Sequence, residues 1–115
     1  MATREPDQIL PDRIAEARSL GKPMIVEFGA DNCAACREMK SVLSDLEATY
    51  GDQLTIIDVE YGSTEGRQVQ KAYRLIAIPT QVFFAADGKE LGRHMGAIPI
   101  ADIAVWLGLE SVDAS

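Results

Sequence analysis

The chain has 115 residues, 47% hydrophobic and 25% charged, which suits a single globular domain over residues 1–115 and excludes a disordered chain. Eleven basic against eighteen acidic residues leave a net charge of −7, so nucleic acid and anionic membrane surfaces, both polyanionic, are excluded as partners. No apolar run approaches the roughly 18 residues of a membrane helix, and Met1–Leu10 lacks the basic-then-apolar pattern of a secretory leader. The expectation is a soluble, cytoplasmic monomer, with a leader removed before residue 1 left open.

Residues 1–8 are polar and read as a flexible lead. A helix is expected from Pro11 to Leu20, with Ile14, Ala17 and Leu20 on one face, Pro11 in the first turn and Gly21 as the stop. Met24–Phe28 is a short apolar run bounded by Pro23 and Gly29, the pattern of a strand buried on both faces. Cys36, Met39, Val42, Leu43, Leu46 and Tyr50 then recur at three- and four-residue steps. That spacing predicts an amphipathic helix, capped by Asp31 or Asn32 and ended by Gly51. Leu54–Val59 is a second apolar strand, and a strand–helix–strand unit makes the two strands parallel neighbours.

A turn over Tyr61–Thr64 leads to a helix over Glu65–Tyr73. Thr80–Ala85 and Glu90–Met95 form a hairpin around Asp87-Gly88. Gly96 breaks the strand, and Pro99 opens a last helix with Ile100, Ile103 and Leu107 in a stripe. Residues 111–115 read as a frayed tail. This order specifies an α/β chain with a central mixed four-stranded sheet flanked by helices.

The two cysteines, Cys33 and Cys36, sit where the first strand runs into the long helix. Unpaired N–H groups and the helix dipole there favour negative charge, which lowers the pKa of Cys33 and makes its thiolate the nucleophile. Cys36 lies one turn on, close enough for a disulfide, and belongs to the apolar stripe. Cys33 is therefore expected to attack a partner's disulfide and Cys36 to resolve the intermediate. Two other readings stand beside this one. A cysteine can be a small core hydrophobe, and a CxxC pair can be half of a zinc site, completed only by a second copy because His94 is the single histidine. No metal is assigned.

The sequence resembles the thioredoxin family over about Ile14–Leu109. The resemblance rests on four segments in order: Ile25-Val26-Glu27-Phe28-Gly29-Ala30 before the site, Cys33-Ala34-Ala35-Cys36-Arg37, Ile78-Pro79-Thr80, and Met95-Gly96-Ala97. It implies a thioredoxin-like fold and a protein disulfide reductase that needs no cofactor. Protein disulfides are the implied substrates, and a thioredoxin reductase or a membrane thiol transporter is the implied electron donor. It also implies that Pro79 is cis and lies beside the cysteines, with the Ile78 backbone pairing an extended substrate. Gly96 and Asn32 join that substrate surface.

The resemblance makes Glu27 a buried proton carrier behind Cys36, where the family more often has aspartate. The residue by itself also reads as a solvent-facing carboxylate at a strand edge. Asn32 replaces the family's usual tryptophan, Ala34-Ala35 the usual Gly-Pro, and Ser41 a helix proline. The family's first strand is missing. Without a histidine inside the motif, a reductase is favoured over a strong oxidant. His94 is assigned to the strand surface with no role, and Trp106 to packing. The alternatives are a redox-sensing or docking module with low turnover and a metal-bridged dimer.

Overall fold

A computed structural model of the chain describes residues 12–110. The flexible ends expected over 1–8 and 111–115, and Pro11 with its helix-opening role, lie outside those residues. Helix α1 (Asp12–Arg18) is followed by β1 (Met24–Gly29), α2 (Ala34–Tyr50), β2 (Thr55–Glu60), α3 (Thr64–Tyr73), β3 (Thr80–Phe84), β4 (Glu90–Met95) and α4 (Ile100–Leu107). Every element expected from the sequence is present, in the expected order. The differences are local. Leu20 was expected on the buried face of α1, but the helix ends at Arg18 and Leu20 is 61% exposed. Gly51 does end α2, but with right-handed backbone, so the chain runs on into a 3₁₀ turn over Gly51–Gln53.

The strand order is β2-β1-β3-β4. β1 runs parallel to β2 and antiparallel to β3, and β3 is antiparallel to β4. β1 is thus central, and all six of its residues are buried. Strand alternation then sorts its side chains onto two faces. Met24, Val26 and Phe28 join Ile57, Val59, Val82 and Phe84 under α1 and α3, with Ile14, Val69 and Tyr73 from those helices. Ile25 points the other way and packs with Phe83 under α2 and α4, against Met39, Leu43, Leu46, Ile103 and Leu107. Glu27 has the parity of Ile25, so the fold turns it toward α2.

The same arithmetic gives the sheet a row of polar residues. Asp58, Glu27, Gln81 and His94 face one another in register across all four strands. The hairpin slips between Phe83 and Phe84, where Leu91 is the extra residue of a bulge. At the far edge Trp106 stacks on Phe83 with ring centroids 4.6 Å apart and planes at 8°. Gly92 makes room for it, since a Cβ at that position would lie 2.8 Å from the indole. Trp106 is therefore a packing residue, as expected.

Gly92→Ala is expected to displace the indole from Phe83 and to lower unfolding stability by about 1–3 kcal/mol. Urea titration of the two proteins, followed by tryptophan fluorescence, measures it.

Candidate functional site

The carboxyl end of β1, the amino end of β3 and the carboxyl ends of β2 and β4 meet at one edge of the sheet. Four connections leave from that edge, and they carry the cysteines, Tyr61, the Ile78-Pro79 pair and Gly96. The turn after β1 passes Asp31 and Asn32, both exposed, and reaches Cys33. Cys33, not Asp31 or Asn32, is the N-cap of α2. Its backbone is extended and its Sγ accepts the Cys36 N–H at 3.2 Å. The expected cap residues lie a position or two too early for this bond. The sulfur itself occupies the site where a helix terminus holds negative charge.

That position divides the two thiols. The Cys33 thiol is held below its ordinary pKa by a hydrogen bond from the Cys36 thiol. The Cys36 and Ala35 backbone amides and the charge of Arg37 add to this. Arg37 is anchored by a 3.0 Å bond from Nη1 to the Asp31 carbonyl. Cys36 is 3% exposed, and burial pushes its thiol up to about 11. The Cys33 sulfur and the Glu27 carboxylate push in the same direction. Both cysteines are free thiols in this structure.

Glu27 is buried, at 3% exposure, so the solvent-facing reading fails: β1 is central and has no free edge. Its Oε1 accepts from Gln81 Nε2 at 3.0 Å, while Oε2 is buried without a partner. Gly29 shows where Oε2 points. A Cβ on Gly29 would lie 3.1 Å from Cys36 Sγ and 3.5 Å from Glu27 Oε2, so thiol and carboxyl border one small space. Burial raises the Glu27 carboxyl to about 7. The Gln81 bond opposes that rise, Asp58 adds to it, and Lys40 opposes it. Lys40 is held by Asp58 at 3.0 Å and by Asp31 at 3.6 Å.

On the other side of the edge the Ile78-Pro79 bond is cis. Pro79 and Thr80 are buried and Ile78 is half-buried. Thr80 Oγ1 donates to the Ala77 carbonyl at 2.6 Å, and Gly96 N–H donates to the Pro79 carbonyl at 2.8 Å. Gly96, at φ +95°, takes a turn that favours glycine. Asn32, Ile78, Pro79 and Gly96 are thus gathered at the edge that carries Cys33.

Sequence reasoning missed two features. One is an exposed apolar rim at this edge, made by Tyr61 at 50%, Ile76 at 85% and Met95 at 57%. Met95 stands inside one matched segment and Ile76 two residues before another, which was the available signal; Tyr61 carried none. The other is Gln81, which is fully buried. Its partner His94 was assigned to the strand surface without a role; it is half-buried, and its Nδ1 lies 3.0 Å from Gln81 Oε1. Among the described residues no group of three or more His, Cys, Asp or Glu is placed to hold a metal ion.

Two outcomes check the site. Iodoacetamide is expected to label Cys33 with an inflection below that of an ordinary thiol and to spare Cys36 until strongly alkaline pH, read by mass spectrometry. The folded state also holds the Glu27 proton more tightly than the unfolded chain does. This group therefore costs stability as pH rises from about 4.5 to about 7, and the cost levels off above that. Glu27→Gln should flatten the stability profile in that window and exceed the wild type above it by up to about 3 kcal/mol in denaturant titrations.

Residues 10–109 match the thioredoxin-like domain family. The chain is 33% identical over 84 residues to the chloroplastic thioredoxin-like protein HCF164 of Arabidopsis thaliana, covering 73% of this chain and 32% of that protein. The chain thus spans about a third of that relative's length. It is 32% identical to a thioredoxin of Mycolicibacterium smegmatis, covering 66% of this chain and 67% of that one. In fold it is similar to Trxlp from Edwardsiella tarda, with a TM-score of 0.72 at 21% identity over 84% of this chain and 93% of that chain. With a cysteine pair that is consistent with thiol–disulfide oxidoreductase chemistry, the chain belongs to the thioredoxin-like family.

Proposed function

We propose that the protein is a protein-disulfide reductase. The opposed environments of its two thiols carry this reading. Cys33 at the helix cap is the easier to ionise, and buried Cys36 keeps its proton until it is needed. The Cys33 thiolate attacks one sulfur of a substrate disulfide. A Cys33–substrate disulfide forms, and the other substrate sulfur leaves as a thiolate that takes a proton from solvent. Cys33 is then no longer a thiol, so its contribution to the Cys36 elevation disappears. Cys36 passes its proton to the Glu27 carboxylate and attacks the Cys33 sulfur. The Cys33–Cys36 disulfide closes and the second substrate thiolate is expelled. Two electrons have moved to the substrate, and an external dithiol restores the pair.

The rim of Tyr61, Ile76 and Met95 supports a protein as the substrate, since an exposed apolar collar fits an unfolded or extended segment better than a small charged disulfide. Asn32, Ile78, Pro79 and Gly96 form the surface that such a segment lies along. The electron donor is a thioredoxin reductase or a membrane thiol transporter.

Insulin reduction with dithiothreitol tests this. The wild type is expected to turn over, Cys33→Ser to be inactive, and Cys36→Ser to accumulate a mixed disulfide visible by mass spectrometry. Full activity in Cys33→Ser overturns the reading. A single turnover with a reductase present favours the docking module. Stoichiometric zinc with a dimeric mass, both lost in Cys36→Ser, favours the metal-bridged dimer.

A further inference from the structure

The polar row across the sheet extends past Glu27 in a direction the reductase chemistry does not use. Gln81 is fully buried between Glu27 and His94 and touches both, at 3.0 Å on each side. An ionised carboxylate offers only lone pairs, so the amide must turn its NH₂ toward Glu27 Oε1. The amide oxygen is then fixed toward His94. It has no proton of its own, so His94 Nδ1 must be the donor. One imidazole N–H thus sets which way the amide faces, and the amide sets which carboxylate oxygen is engaged. Only Oε2 is left to face Cys36 across the space beside Gly29.

We propose that Gln81 and His94 are positioning residues for proton transfer at Cys36. His94 Nδ1–H orients the Gln81 amide, and that amide pins Glu27 Oε1 so that Oε2 exchanges the proton. This rests on the reading of Glu27 as the proton acceptor. The groups that face Glu27 are Cys36 and Lys40 from α2, Asp58 from β2 and Gln81 from β3, with His94 of β4 behind Gln81.

Removing the His94 donor leaves the buried Gln81 oxygen unsatisfied, a costly state. The amide is then free to turn that oxygen toward Glu27. In that orientation it pairs only with a protonated carboxyl, so the acid form gains. In His94→Leu the Glu27 titration should therefore move upward by about one pH unit, the size expected for losing a hydrogen bond to a charged group. Asparagine places an N–H at the position of Nδ1. His94→Asn should restore the wild-type titration.

The experiment is ¹³C NMR of the reduced protein labelled at the glutamate side-chain carboxyls, titrated from pH 4 to 9. The Glu27 resonance is identified by its loss in Glu27→Gln. Insulin-reduction rates are measured over the same range. An upward shift in His94→Leu and in Gln81→Leu, reversed in His94→Asn, is the expected result. An unmoved inflection in His94→Leu overturns the proposal. A shift that asparagine does not reverse also overturns it, because it then reflects lost packing. If Glu27→Gln leaves the pH–rate profile unchanged, the proton-acceptor role fails instead, whatever the resonance does.

Discussion

Glu27 holds a carboxyl in the central strand of the sheet, with one oxygen bonded to Gln81 and the other unpaired beside Cys36. Water would solvate this group far better than the sheet does, and burial moves its ionisation up to about 7. Such a group exchanges protons readily near neutrality. An apolar residue in its place would remove the ionisable side chain that borders the Cys36 thiol inside the sheet. A buried carboxyl with a raised ionisation next to a thiol is the kind of costly placement that clusters at functional sites.

The two thiols differ because they see different surroundings at one helix terminus. Cys33 is the cap, so its sulfur takes the backbone N–H of Cys36 in the first turn and lies near Arg37. Cys36 is a single turn further in and is part of the apolar stripe that includes Met39, Leu43 and Leu46. A residue's step along one helix therefore decides which thiol ionises first. Gly29 completes the arrangement by having no side chain where Cys36 and Glu27 approach.

Sheet register links this chemistry to the far strand. Glu27 and Gln81 are 54 residues apart, and Gln81 and His94 are 13 apart, yet each pair is directly opposed. One slip by a residue in β3 would turn Gln81 to the other face and put Thr80 or Val82 in its place. The bulge at Leu91 lies three residues from His94 along β4, so it alters the hairpin without disturbing the Gln81–His94 contact.

Local patterns were enough to read the elements and the cysteine pair. The apolar run of β1, the three-and-four spacing of α2 and the CxxC at their junction are all short-range features, set by periodicity and by the unpaired amides of a helix start. Glu27 stood out as a charge in an apolar strand, but whether it faced solvent or core depended on which strands flanked β1. Asp31 and Asn32 looked like caps because their side chains suit that position, and only the path of the turn gave the position to Cys33. Gln81 and His94 carried no local signal, since a polar residue in a strand is ordinary. The sequence by itself determined the elements, their order and the place of the cysteine pair at a helix start. Tertiary structure decided the cap, the burial of Glu27 and its partners, because those follow from long-range strand register, which no short window of residues contains.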